Sequence, residues 1–157
     1  AEHVAEKYGA TPEQSAKNRA NIQARAAELG FAMTGTADSR IYNTFDAHRL
    51  LHWAHGFGLQ AALKHRLFAV YFSEGGNVSD ADVLVRAAAD VGLDADAARA
   101  LLADGRYADE VRAEERYWHA QGINAVPAIV INDRYAIMGG QPPEAFERAL
   151  RKIAAEG

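Results

Sequence analysis

Cysteine is absent from all 157 residues. That absence rules out structural disulfides, thiolate metal sites and cysteine nucleophiles within the chain. Long apolar runs are absent too. No stretch approaches the roughly 18 uninterrupted apolar residues that a membrane helix needs, so no membrane partner is expected. The opening Ala1-Glu2-His3-Val4 lacks the basic-then-apolar order of a secretory signal. There is no excess of positive charge: 17 Lys and Arg stand against 21 Asp and Glu, a formal net charge of -4. The two signs are mixed along the chain without a basic stripe, which argues against nucleic acid as a partner. Internal repeats and low-complexity linkers are likewise missing, so nothing cuts the helical run described next into separate pieces.

What is present is core-forming material. Hydrophobic residues make up 49% of the sequence, enough for one globular unit of this length. Thr11-Pro12-Glu13-Gln14 combines an N-cap, a proline at the first helical position and a capping-box glutamine, and Gly30 stops that helix about five turns later. From Asn43, Ala47, Leu50, Leu51 and Ala54 recur at helical spacing up to Gly56. Leu59, Ala62, Leu63, Leu67, Val70 and Tyr71 repeat the pattern, giving a helical hairpin that ends at Gly75-Gly76-Asn77. Ser79 with Asp82 reads as a capping-box-like start for Val83 to Val91. Asp94 caps a further helix ending near Gly105, and Tyr107 to Gln121 forms a charged one stopped by Gly122.

The texture changes at Val126. Ala128-Ile129-Val130-Ile131 is a continuous apolar run, Asn132-Asp133-Arg134 is turn chemistry, and Tyr135-Ala136-Ile137-Met138 is a second extended run. A β-hairpin is expected, followed by a helix from Pro143 with Phe146, Ala149, Leu150 and Ile153 on its buried face. A run with no polar residue on either side of the pleat belongs to a strand covered on both faces. Two strands cannot provide that cover, and an isolated hairpin is marginal in water. The sheet is therefore expected to be completed by strands upstream of Ala1 or from a second chain. The competing source of a strand within the chain is Phe31-Ala32-Met33-Thr34. The absence of an initial methionine and the immediate entry into helix-like sequence point the same way, towards a segment that precedes Ala1, with ordinary methionine removal before Ala as the alternative.

Several motifs, in their order along the chain, resemble the DsbA family of thioredoxin-fold thiol oxidoreductases, in particular its FrnE-like branch. They are Asn43-Thr44-Phe45-Asp46-Ala47-His48-Arg49-Leu50 opening a helix, Leu67-Phe68 with Tyr71-Phe72 closing its partner, and Val111-Arg112-Ala113-Glu114-Glu115. The most specific is Gly122-Ile123-Asn124-Ala125-Val126-Pro127 entering an apolar strand, followed by Tyr135 to Gly140 and Gln141-Pro142-Pro143. The resemblance implies an α/β, thioredoxin-like fold with an inserted helical domain. In this chain it would be mostly α, with a C-terminal β-hairpin and final helix. Residues 1–121 would be mainly the inserted domain and residues 122–157 the C-terminal ββα part. The family's opening strand, Cys-x-x-Cys motif and second strand have no counterpart here, so the chain resembles a member without roughly its first third.

The resemblance also implies chemistry. Sequence alone favours a trans Val126-Pro127 bond, because only about 5–6% of X-Pro bonds in folded proteins are cis. In thioredoxin-like folds, however, a cis-proline loop faces the reactive thiol. Val126 would then dock an extended substrate through its backbone, in the manner of strand addition, while Pro127 fixes the loop. The implied partner is a thiol- or disulfide-containing protein or peptide, no cofactor is needed, and the implied location is bacterial cytoplasm. No residue of the chain replaces the thiolate, so no catalytic residue is assigned in it. An alternative resemblance is to kappa-class glutathione transferases and 2-hydroxychromene-2-carboxylate isomerases, in which serine replaces the cysteine and glutathione is bound. A third reading is a redox-inactive peptide-binding module using the same groove.

His48, His52 and His55 share a helical face, which invites a metal, but no carboxylate or further histidine is placed to complete a tetrahedral site. His52 and His55 read better as partly exposed residues flanking the core. His48, with Asn43 and Thr44, is a candidate neighbour of the active site, although Asn43 and Thr44 serve equally as helix caps. Glu110, Glu114 and Glu115 read as a solvated face broken by arginines, and Tyr117-Trp118 and Phe68 to Phe72 as packing aromatics.

Overall fold

The computed structural model describes residues 11–156; Ala1–Val4, read above for a signal, lies outside them. The chain divides into two compact units, one ending at Val111 and one beginning at Arg112.

The first unit is helical. Helix α1 (Pro12–Glu28) starts as its capping box dictates, with the Gln14 N–H donating to Thr11 Oγ1 at 3.2 Å and the Thr11 N–H donating to Gln14 Oε1 at 2.9 Å. Helices α2 (Phe45–His55) and α3 (Gln60–Phe68) form the expected hairpin, and the second runs on into a π-helical turn, Ala69–Ser73. Helix α4 (Ala81–Asp90) begins one residue later than the capping-box reading placed it. Asp80 is the N-cap, accepting from the N–H groups of Asp82 and Val83, because Ser79 is already bonded to the Asn77 side chain. Helix α5 (Ala95–Asp104) is capped by Asp94 as expected. Helix α6 (Ala108–Ala120) crosses the boundary between the units and buries only Val111.

The core of the first unit gathers the helical stripes. Leu50, Leu63, Leu84 and Leu101 are fully buried, with Ala54, Ala88 and Ala98 completing the close contacts between helices. Each such leucine contributes about 1.5–3 kcal/mol of transfer free energy. Small residues at the crossings let the helices approach. The turn after the π-helical segment needs glycine for the same reason: a Cβ on Gly76 would lie 2.6 Å from Val70 Cγ1 and 3.2 Å from the Val70 carbonyl oxygen.

Phe31–Thr34 forms no strand. Its backbone instead serves the end of the π-helical turn, where carbonyls lack helical partners. The Thr34 N–H donates to the Phe72 carbonyl at 2.8 Å, Thr34 Oγ1 donates to the Ser73 carbonyl at 2.9 Å, and Ser73 Oγ returns a bond to the Ala32 carbonyl.

One polar side chain lies inside this core. Arg49, only 4% exposed, donates from Nε to the Arg106 carbonyl at 2.8 Å, from Nη1 to Asp46 Oδ1 at 2.7 Å and from Nη2 to the Leu101 carbonyl. Two of these acceptors are carbonyls at and just beyond the C-terminal end of α5, where unpaired oxygens and the negative pole of the helix favour a cation.

The second unit holds strands β1 (Ala128–Ile131) and β2 (Tyr135–Met138), paired antiparallel with Ala128 opposite Met138 and Ile131 opposite Tyr135. Asn132 and Asp133 both take left-handed backbone (φ 53° and 52°), the conformation that primed hairpin turns require and that these residue types tolerate. Helix α7 (Pro143–Glu156) follows, tied to β2 by the Tyr135 hydroxyl donating to Glu156 Oε2 at 2.9 Å. Its apolar face is not buried as the periodicity leads one to expect. Phe146, Ala149 and Ile153 are half-buried and Leu150 is exposed. No described residue from 112 to 156 is buried, because two strands and one helix cannot enclose a core.

Two expectations follow for stability. Replacing Arg49 by Ala orphans one buried and two part-buried carbonyls and should cost about 2–4 kcal/mol, with Arg49→Lys recovering only part, since an ammonium cannot span the same acceptors. Urea unfolding followed by circular dichroism checks this; a loss below about 1 kcal/mol would contradict it. The Glu156 carboxylate, by accepting from Tyr135, holds the phenol above its ordinary pKa. The folded state then keeps that proton longer than the unfolded state, so the contribution is complete below pH about 10 and disappears as pH rises through the folded value. Ultraviolet titration of Glu156→Gln should show the Tyr135 phenol ionising at lower pH, and an unchanged curve would refute the coupling.

Candidate functional site

The loop 122–127 is built by the way α6 ends. Gly122 takes left-handed backbone (φ 84°), its N–H donates to the His119 carbonyl at 3.0 Å, and the Ile123 N–H donates to the Trp118 carbonyl at 3.0 Å. These two bonds are a Schellman ending, which only a residue tolerant of positive φ supports well, and they turn the chain out of the helix. A side-chain pair then braces the loop: His119 Nδ1 lies 3.1 Å from Asn124 Oδ1, and Asn124 Nδ2 donates to the Gly122 carbonyl at 3.3 Å.

Beyond the brace comes Val126, 89% exposed, joined to Pro127 by a cis peptide bond. Among the described residues no hydrogen bond occupies the N–H or C=O of Val126. Pro127 is anchored on its other side, its carbonyl accepting from the Gly139 N–H at 2.8 Å, directly before the β1–β2 ladder begins. The loop thus presents one open donor and one open acceptor next to an anchored proline. Such an edge can pair with extended backbone.

The other candidates lie in the first unit, at the start of α2. Asn43 does act locally, its Oδ1 accepting from the Phe45 N–H at 2.9 Å. Thr44 occupies the N-cap position without a side-chain cap bond, and its carbonyl accepts from the His48 N–H at 3.0 Å. Asn43, Thr44 and His48 all have exposed side chains. His52 packs its ring against Tyr107, 5.1 Å between centroids, and His55 is exposed. Among the described residues no group of three His, Asp or Glu is set to hold a metal ion. Glu110, Glu114 and Glu115 are solvent-facing, and Tyr117 and Trp118 stack edge to face while both remain exposed.

Two features escaped the reading of the sequence. Arg49 lay inside a recognised motif, but its carbonyl acceptors are 52 to 57 residues away and nothing local announces them. The His119–Asn124 brace had a usable signal: two polar residues on either side of a helix-ending glycine, close enough for the Schellman turn to bring them face to face.

Comparison with known proteins fits this architecture. The DSBA-like thioredoxin domain family matches residues 2–151, and the chain belongs to that family. A crystal structure of a probable DsbA oxidoreductase from Streptomyces coelicolor superposes with a TM-score of 0.90 at 40% sequence identity, covering 98% of this chain and 66% of that one. The uncharacterized protein YwbO of Bacillus subtilis strain 168 is 29% identical over 131 residues, covering 83% of this chain and 65% of its own length. The chain therefore spans about two thirds of the length of these two relatives. The fold is that of the DsbA-like thioredoxin group, mostly helical with a small two-stranded sheet.

Proposed function

We propose that this chain supplies the helical domain and the substrate-docking loop of a thiol-disulfide oxidoreductase of the FrnE-like branch, acting on thiol- or disulfide-containing proteins or peptides. The observation that carries the reading is the open backbone of Val126 beside Pro127, at the entrance to an apolar strand. An extended peptide laid along this edge would receive the Val126 N–H and donate to its C=O, which gives affinity without demanding a particular side chain.

The chemistry would be thiol-disulfide exchange. A thiolate attacks one sulfur of the substrate disulfide, the other sulfur leaves as a thiolate, and a second thiol resolves the mixed disulfide. Because this sequence has no cysteine, both thiols must come from outside it. The same reading asks for further strands, from a preceding segment or a second chain, to cover β1.

The test uses this chain, labelled with 15N, and a disulfide-bearing hexapeptide. Titration should shift the amide resonances of Ala125 and Val126, and N-methylation of the peptide's central amide should weaken binding tenfold or more. The chain alone should leave insulin unreduced at ordinary enzyme concentrations. Absence of shifts at Ala125 and Val126 would remove the docking role, and measurable insulin reduction would remove the assignment of the nucleophile to another segment.

A further inference from the structure

The docking loop is held by a side-chain pair that the exchange chemistry does not require. Asn124 has one donor group and one acceptor atom, and its orientation is set by where the donor goes. Nδ2 donates to the Gly122 carbonyl, which can only accept, so Oδ1 is the atom turned towards His119 Nδ1, 3.1 Å away. A carbonyl oxygen cannot donate. His119 Nδ1 must therefore carry the proton, whether the ring is neutral or an imidazolium.

We propose that His119 is a positioning residue for loop 122–127. Fixed as the Nδ1–H tautomer when neutral, it holds Asn124 and thereby keeps the backbone of Val126 in the shape that accepts an extended peptide. The inference rests on the docking role proposed above. One consequence distinguishes it from a general contribution to folding: since His119 and Asn124 are both exposed, their removal should act on the loop and leave global stability nearly unchanged.

The experiment has a spectroscopic arm and a binding arm, both on the full 157-residue chain. Long-range 1H–15N spectra of the imidazoles, recorded at alkaline pH where the rings are neutral, should show His119 mainly as Nδ1–H, and Asn124→Ala should shift it towards Nε2–H. Affinity for the disulfide-bearing hexapeptide should fall about two- to tenfold in both His119→Ala and Asn124→Ala, the range that one lost neutral hydrogen bond supports. His119→Asn, whose amide nitrogen falls near the Nδ1 position, should restore binding to within about twofold, whereas His119→Gln, whose nitrogen falls near Nε2, should not. A dominant Nε2–H ring in the unaltered chain overturns the brace. Peptide binding that is indifferent to both alanine substitutions overturns the positioning role while leaving the docking role standing. No peptide binding by the unaltered chain removes both.

Discussion

The helical unit depends on a buried guanidinium. An arginine in an apolar core costs several kcal/mol unless each of its nitrogens finds an acceptor. Arg49 meets that condition by closing over the C-terminal end of α5, a place that would otherwise leave carbonyls unpaired in the same core. The two liabilities cancel. The remaining charge is balanced by Asp46, one helical turn earlier, which stays half in solvent and so needs no burial of its own. The arrangement fixes α2 against α5 by direction as well as by contact, because a planar fork accepts partners only along its own bonds. Leucines alone would allow the helices to slide.

That interaction also explains which parts of the fold were legible in the sequence. Helix starts at Thr11 and Asp94, stops at Gly30 and Gly105, and the Asn132-Asp133 turn are decided by groups within five residues of one another, so a linear reading finds them. The start of α4 was displaced by one residue for the same local reason, competition between neighbouring side chains for one another's donors. Arg49 and Ser73 reach carbonyl partners across 41 to 57 residues, and these bonds exist only after the chain has folded. The loop before β1 falls between the two cases. Its glycine and proline were visible, while the brace from His119 depended on how α6 ended.

The second unit shows the opposite economy. Ala128–Ile131 is apolar on both sides of the pleat, yet none of it is buried, and the apolar face of α7 is only half covered. Such a sequence is consistent with a sheet larger than two strands.

The proposed division of labour is chemically coherent. Thiol-disulfide exchange needs a nucleophile whose pKa is tuned by its immediate surroundings, and nothing in a cysteine-free chain can stand in for it. Substrate docking needs something different, an edge of backbone held in one conformation with its donor and acceptor open. Backbone groups are the same for every residue, so the specificity of such an edge lies in how rigidly it is presented. The Schellman ending of α6, the Asn124 brace and the anchor from Gly139 to Pro127 constrain the loop at three points, while among the described residues the Val126 N–H and C=O have no hydrogen-bond partner. A loop held in this way would lose little entropy on binding, so under the proposed docking role a short stretch of chain with no reactive side chain would decide what is held for reaction.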